Sequence, residues 1–388
     1  MASLRLSVSA FLCALPGAFG ANLFVSHYNG NIYSLSYTGP SSLKVTHTLK
    51  AGGQMPSWLT YDSAARILYI TDESGATGGS TLTAVSAAAD GSLKVSATGR
   101  SNGGELHSTL YGGSDGKGFL AAAEYDPSSI STWKLPIGSG QSLQKLTFTM
   151  SGRGTVPSRQ DKPHPHSVFT EPTGKYLLSA DLGADLIRIF SIDASSGKLT
   201  QCTNVQTAAG DGPRHGAFWS KSGDSQATSL YTVNELGNSV TSWKVSYGSG
   251  CLSLQKLQTL PTYPEGKKAP SGSKAAEVHV SGDFVYAVNR NDKTFGAQQD
   301  SAVSYSIAAD GSIKFMEATN AYTWYPRTFQ INKAGDMVAF GGQTSSTVAI
   351  VERNVTTGRL GAQLATVAVG TPGRDGQEDG LSAVIWDE

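Results

Sequence analysis

The sequence predicts an all-β fold, a seven-bladed β-propeller built as one domain over residues 21–388. Three observations predict it. Short apolar segments alternate with period two between Gly- and Pro-containing turns. The resulting unit recurs at intervals of roughly 50 residues, a spacing that belongs to radial arrays. The seventh unit is divided between the two ends of the chain, so that the ring closes on strands from both termini and leaves no open edge.

The unit is clearest in KPHPHSVFTEPTGKYLLSADLGADLIRIFSID, residues 162–193. Residues 167–170 read as a first strand, 176–180 as a second and 186–192 as a third, and the turn SSGKL leads to a fourth. The second strand recurs as LYITD (68–72), LAAAE (120–124), LYTVNE (230–235), VYAVNR (285–290) and VAFGGQ (338–343). The third recurs as TLTAVSA, ISTWKL, SVTSWKV, AVSYSI and TVAIVE. Six units are complete. Residues 381–387 supply the first strand of the seventh, and 23–26, 32–37 and 43–49 supply the rest. No window of ten to twelve residues in 21–388 carries a helical period, which argues against a doubly wound α/β fold.

Residues 1–20 carry Arg5, an apolar run over 6–15, then Pro16, Ala18 and Gly20. This is the pattern of a secretory signal cleaved near Gly20, so the expectation is a secreted protein. The run is too short to span a bilayer, and no membrane insertion is expected elsewhere. Thirty Lys and Arg balance thirty Asp and Glu, which disfavours nucleic acid or an anionic membrane as a partner. Cys13 leaves with the signal. Cys202 and Cys251 occupy matching outer positions of successive units, where an oxidising compartment would join them, two free buried thiols being the alternative. Asn354-Val355-Thr356 is a glycosylation sequon beside a turn.

Superimposing the units places His27, Asp72, Glu124, Asp181, Glu235, Arg290 and Gln343 at the ends of second strands, expected at one level around the central channel. The entries to the first strands add His166, Arg214 with His215, Glu277 and Arg327. Blade ends are polar wherever they meet water. A concentration of Arg and His at one mouth points further, to a pocket for a small anion: guanidinium groups match carboxylates or phosphates, and neighbouring acids or imidazoles can move protons. His164 and His166 flank a single Pro with no obvious carboxylate partner, so no metal site is expected. A nucleophile elbow of the GxSxG kind is absent. GDGPRHG (210–216) lacks the Lys-Ser/Thr of a phosphate loop and reads as a turn presenting Arg214.

Four stretches, HPHSVFTEPTGKYLLSADLGADLIRIFSID, GPRHGAFW…LYTVNELGNSVTSW, AAEVHVSGDFVYAVNRND and YPRTFQINKAGDMVAFGGQ, together resemble the lactonase-type seven-bladed propeller family. Within it they are most similar to fungal 3-carboxy-cis,cis-muconate cyclases. The resemblance covers essentially all of 21–388. It implies a cofactor-independent cycloisomerase that closes a muconate-type dienoic acid to a γ-lactone, with His166, Arg214, Glu235 and Arg290 as catalytic residues. Arg214 and Arg290 would hold carboxylates, while His166 and Glu235 are the candidates for the proton step. His164, Asp181, His215, Glu277, Arg327 and Glu124 are candidates for substrate binding. The family also includes 6-phosphogluconolactonases, so hydrolysis of a sugar lactone is the alternative, with Arg327 or Lys162 supplying the extra charge a phosphate needs. A third possibility is a non-catalytic secreted propeller that binds a cell-wall or host-surface partner.

Overall fold

The computed structural model describes residues 21–75, 80–138, 141–221 and 224–388. The segment read above as an export signal lies outside the described residues. Seven antiparallel sheets of at least four strands form the blades: residues 56–100 (blade 1), 105–147 (2), 165–206 (3), 213–261 (4), 274–320 (5) and 326–368 (6), with blade 7 made of Leu381–Trp386 and the three strands in 21–50. In blade 7 the order runs from the last strand into the first three, as the split repeat requires. Leu381–Trp386 pairs with Ala21–His27 through registers such as Phe24↔Ile385 and Val25↔Val384. The first strands of successive blades touch one another in a closed cycle, which puts them innermost.

Successive side chains of a strand point to opposite faces, and the inner strands are buried along nearly their whole length, so both faces of each sheet pack against neighbouring blades. The core is therefore a set of wedges between blades. Leu23, Val25 and Leu35 of blade 7 meet Ala339, Val348 and Ile350 of blade 6, all fully buried. Tyr231 and Val233 of blade 4 meet Val285, Val303 and Tyr305 of blade 5 in the same way. Each fully buried Leu, Ile or Val contributes about 1.5–3 kcal/mol. Tyrosine hydroxyls latch the wedges at their outer ends. Tyr111 donates to Gly197 O at 2.6 Å, Tyr231 to Gly311 O at 3.0 Å and Tyr286 to Gly358 O at 2.7 Å. The accepting glycines sit in the outer turns at φ +72°, +85° and +69°, where other residues would be strained. A Cβ at Gly358 would also come within 2.3 Å of the Phe284 ring.

Cys202 and Cys251 form a disulfide between blades 3 and 4, with Cα atoms 6.0 Å apart and 49 residues of separation. Both lie just outside the strands assigned to them, Cys202 after Leu199–Gln201 and Cys251 before Leu252–Pro261.

One local feature builds the channel lining. Every innermost strand carries a bulge near its start, where pairing with the second strand skips: between Pro56 and Trp58, Glu105 and His107, Pro165 and Ser167, Pro213 and His215, Ala275 and Val278, and Pro326 and Thr328. In blade 7 the skip leaves out Ser382. A bulge frees one residue from the ladder and re-aims its side chain. The freed residues include Ser57, His166, Arg214, Arg327 and Ser382. In four blades Pro stands immediately before the freed residue, at a strand start that needs no ladder N–H.

Candidate active site

The bulges open on a cavity of about 540 Å³ at one end of the channel. His166, Arg214, Glu235, Arg290 and Arg327 all line it, with Arg159, Lys274, Tyr28, Tyr125 and the carboxylates Glu73, Asp126 and Glu378. Glu235 is the organising centre. Its Oε1 receives Arg159 Nη1 at 2.7 Å, and its Oε2 receives Arg214 Nε at 3.0 Å and Arg290 Nη2 at 2.7 Å. Burial alone would raise the Glu235 pKa, but Arg159, Arg290 and Arg214 outweigh it and hold the carboxyl well below the ordinary range. Glu235 is thus a fixed anion and a poor proton acceptor. Arg214 is fully buried, and burial together with the like charge of Arg290 pushes its pKa down to about 9. Its Nη1 donates to Ala276 O at 2.7 Å, a carbonyl in the neighbouring bulge.

Arg327 works in the same manner on the other side of the ring. Nη1 donates to Ser57 O at 3.2 Å and Ser382 O at 2.8 Å, Nη2 donates to Ser57 Oγ at 3.1 Å, and Glu73 lies 3.7 Å away. Two buried guanidiniums therefore tie together bulges from different blades.

His166 is 5 % exposed. Its Nδ1 is buried without a hydrogen-bond partner among the described residues. Burial first, then Arg214, the His215 imidazole, Arg327 and Arg290, keep its pKa well below that of a free imidazole, so the ring is neutral. Beneath it lies an aromatic floor. His215 sits 5.1 Å from His166 and 4.9 Å from His107 between ring centroids, and Trp58 lies tilted at 4.2 Å from His107. His215 Nδ1 and Glu277 Oε1 are 3.0 Å apart. Burial raises the Glu277 pKa, and its second oxygen has no partner among the described residues.

The ten residues singled out from the sequence thus divide three ways. His166, Arg214, Glu235, Arg290 and Arg327 line the cavity, while His215 and Glu277 form the layer below it. Three others are elsewhere, and their expected place at the channel mouth is corrected. Asp181 is fully buried and engaged, accepting from the backbone N–H of His164 and Ala184 and from Arg188. Glu124 accepts from Ser129 and from Asn102. His164 stacks on Tyr125 with centroids 4.1 Å apart and contacts Asp161; it acts at one remove, by placing the tyrosine that receives Arg159 Nη2 at 3.2 Å.

The reason is a one-residue slip. Asp72, Glu124, Asp181 and Asn234 share a register, each pairing with the start of an innermost strand. Glu235 is one residue later, and its counterparts are Glu73 and Tyr125. In a strand one residue changes the face, so the earlier position caps the connection within the blade and the later one faces the cavity. Lys162 also departs from expectation, since its amine donates to Asp126 O at 2.6 Å on the exposed surface. Arg159 and Glu378 were not found from sequence because both lie in aperiodic connections.

Comparison with known proteins agrees with this architecture. The family described as "Lactonase, 7-bladed beta-propeller" matches residues 22–374. A probable 6-phosphogluconolactonase of Arthroderma benhamiae is 31 % identical over 344 residues, covering 87 % of this chain and 83 % of that protein. The 6-phosphogluconolactonase of Bacillus subtilis is 26 % identical over 255 residues, 66 % of this chain and 68 % of its own. Among solved structures, the periplasmic gluconolactonase of Pseudomonas aeruginosa superimposes with a TM-score of 0.76 at 25 % identity, covering 95 % of this chain and 99 % of that one. With a ring of seven blades, a cavity at its hub and these relatives, the chain belongs to the seven-bladed β-propeller lactonase family.

Proposed function

We propose that the protein is a lactone hydrolase that opens a small polar lactone in the hub cavity. The observation that carries this is His166, a neutral imidazole lining the cavity with no hydrogen-bond partner for its ring among the described residues, set beside guanidiniums already ordered by Glu235. A water molecule between His166 and the lactone carbonyl gives up its proton to the imidazole as its oxygen bonds to the carbonyl carbon. The carbonyl oxygen becomes an oxyanion, which the Arg214–Arg290 side stabilises without reorganisation. Collapse of the tetrahedral species breaks the ring C–O bond. The imidazolium returns its proton to the departing alkoxide oxygen, leaving an open-chain hydroxy acid. Glu235 keeps the guanidiniums in place and, held ionised, takes no part in proton transfer.

The same four residues would serve the ring-closing reaction expected from the resemblance to muconate cyclases. The activities named for the relatives, 6-phosphogluconolactonase and gluconolactonase, favour ring opening. The test is acid release from aldonolactones by purified protein, above the spontaneous rate, alongside loss of diene absorbance from 3-carboxymuconate. His166→Ala is expected to lower hydrolysis by about 10²-fold or more while the melting temperature stays close to that of the parent. A variant retaining more than about a tenth of parental activity would remove His166 from the mechanism, and diene loss without lactone opening would restore the cyclase.

A further inference from the structure

The cavity has two chemically different walls. On one, Arg159, Arg214 and Arg290 converge on the single carboxylate of Glu235. Lys274 is the one cation of the lining whose amine makes no hydrogen bond among the described residues. On the other stand Glu73, Asp126 and Glu378, with Arg327 3.7 Å from Glu73 and bonded to Ser57 and Ser382. Glu73 Oε2 accepts from Tyr28 at 2.6 Å and Ser57 at 2.7 Å, which leaves Oε1 without a protein donor among the described residues. Glu378 and Asp126 likewise receive no side-chain bond among the described residues and border the same space as the unpartnered His166. Repulsion from Glu73 raises the Glu378 pKa, Asp126 adds to it and Arg327 and Arg159 oppose it, so the three carboxyls share one local field.

The lining holds five guanidinium or ammonium groups against four carboxylates, an excess of one positive charge. A phosphate monoester carries about −1.5 to −2 at neutral pH and would exceed that excess, besides meeting the acidic wall. Unused carboxylate oxygens are, by contrast, good acceptors for hydroxyl donors. The two residues expected from the sequence to serve a phosphate are both committed, Arg327 to the bulges and Lys162 to Asp126 O.

We propose that Glu73, Asp126 and Glu378 are specificity-determining residues that select a polyhydroxylated lactone without phosphate, its hydroxyls on the acidic wall and its ring carbonyl towards Arg214 and Arg290. This rests on the lactone-hydrolase assignment and narrows its substrate class. The kcat/KM for glucono-1,5-lactone and for 6-phosphoglucono-1,5-lactone is compared at neutral pH and low salt. The unphosphorylated lactone is expected to be favoured by at least about tenfold, since each carboxylate facing the phosphate is a like-charge penalty. Equal efficiency, or preference for the phosphorylated lactone, overturns the proposal. Glu378→Gln, at an exposed position at the rim, should narrow the ratio about threefold or more through a gain on the phosphorylated lactone; an unchanged ratio removes Glu378 from selection. Glu73→Gln, whose network is denser, is the second variant. A binding arm separates the two claims. Should neither lactone be hydrolysed, the hydrolase assignment fails, and calorimetry with gluconate and 6-phosphogluconate still decides selectivity, tighter binding of the phosphorylated acid overturning it.

Discussion

Glu235→Ala removes the one carboxylate shared by Arg159, Arg214 and Arg290, whose side chains are 28 %, 1 % and 8 % exposed. Contacts of 2.7–3.0 Å on both carboxylate oxygens make this a buried network, and the variant leaves three positive charges facing one another. Breaking a buried pair by deleting one partner costs about 3–5 kcal/mol, because the surviving charge stays desolvated. Arg214 is the most exposed to this penalty in energetic terms: burial and Arg290 already depress its pKa, and Glu235 is the opposing influence. For a chain of 388 residues the unfolding entropy is about 0.8 kcal/mol/K near the midpoint. A loss of about 4 kcal/mol therefore lowers Tm by about 5 °C. The assay is thermal and urea unfolding in chloride buffer, repeated with formate, whose carboxylate can enter the space vacated by the side chain. With a Kd on the order of 10 mM, 100 mM formate would return about 1.4 kcal/mol to the variant and nothing comparable to the parent. A stability loss below about 1 kcal/mol together with indifference to formate would refute the view that Glu235 organises the arginines.

Two further outcomes follow from the same geometry. Because burial and four cationic or imidazole neighbours lower the His166 pKa, the ring stays neutral as pH falls through 6.5; kcat/KM at pH 5.5 should remain above half its neutral value, whereas an unperturbed imidazole would leave roughly a tenth, and a midpoint near 6.5 in the pH profile would contradict the assignment. Reducing Cys202–Cys251, or replacing both by Ser, releases a constraint 49 residues apart and should cost about 4 kcal/mol in the chain-entropy description, measured by urea unfolding with and without reductant; a change below about 1 kcal/mol would show that the blade interface, not the cross-link, holds this edge.

The blade count and the split seventh blade were legible because alternation and turn spacing repeat along the whole chain, and both are properties of local sequence. The innermost tier was legible for a related reason: Pro165-His166, Pro213-Arg214 and Pro326-Arg327 repeat one local pattern, which proves to be the bulge. The second-strand tier misled because LYITD and LYTVNE look equivalent while ending one residue apart. Pairing geometry, invisible in one strand alone, decides which acid faces the hub, so Asp181 and Glu124 were taken for lining residues and Glu73 was missed. Arg159 and Glu378 reach the cavity from connections without period, where only the folded ring brings residues 159, 235 and 378 together. Roles for Glu235 and His166 could not be separated from composition alone; the three guanidiniums around one and the missing partner of the other distinguish them.

Ser382 belongs to the strand packed innermost in blade 7, and its carbonyl holds Arg327 in place. Without Leu381–Trp386 the edge of Ala21–His27 would be free and one wall of the hub would have a gap. The clasp that closes the ring is thus also part of the cavity wall, so a single lesion there would open a strand edge and unseat Arg327 together.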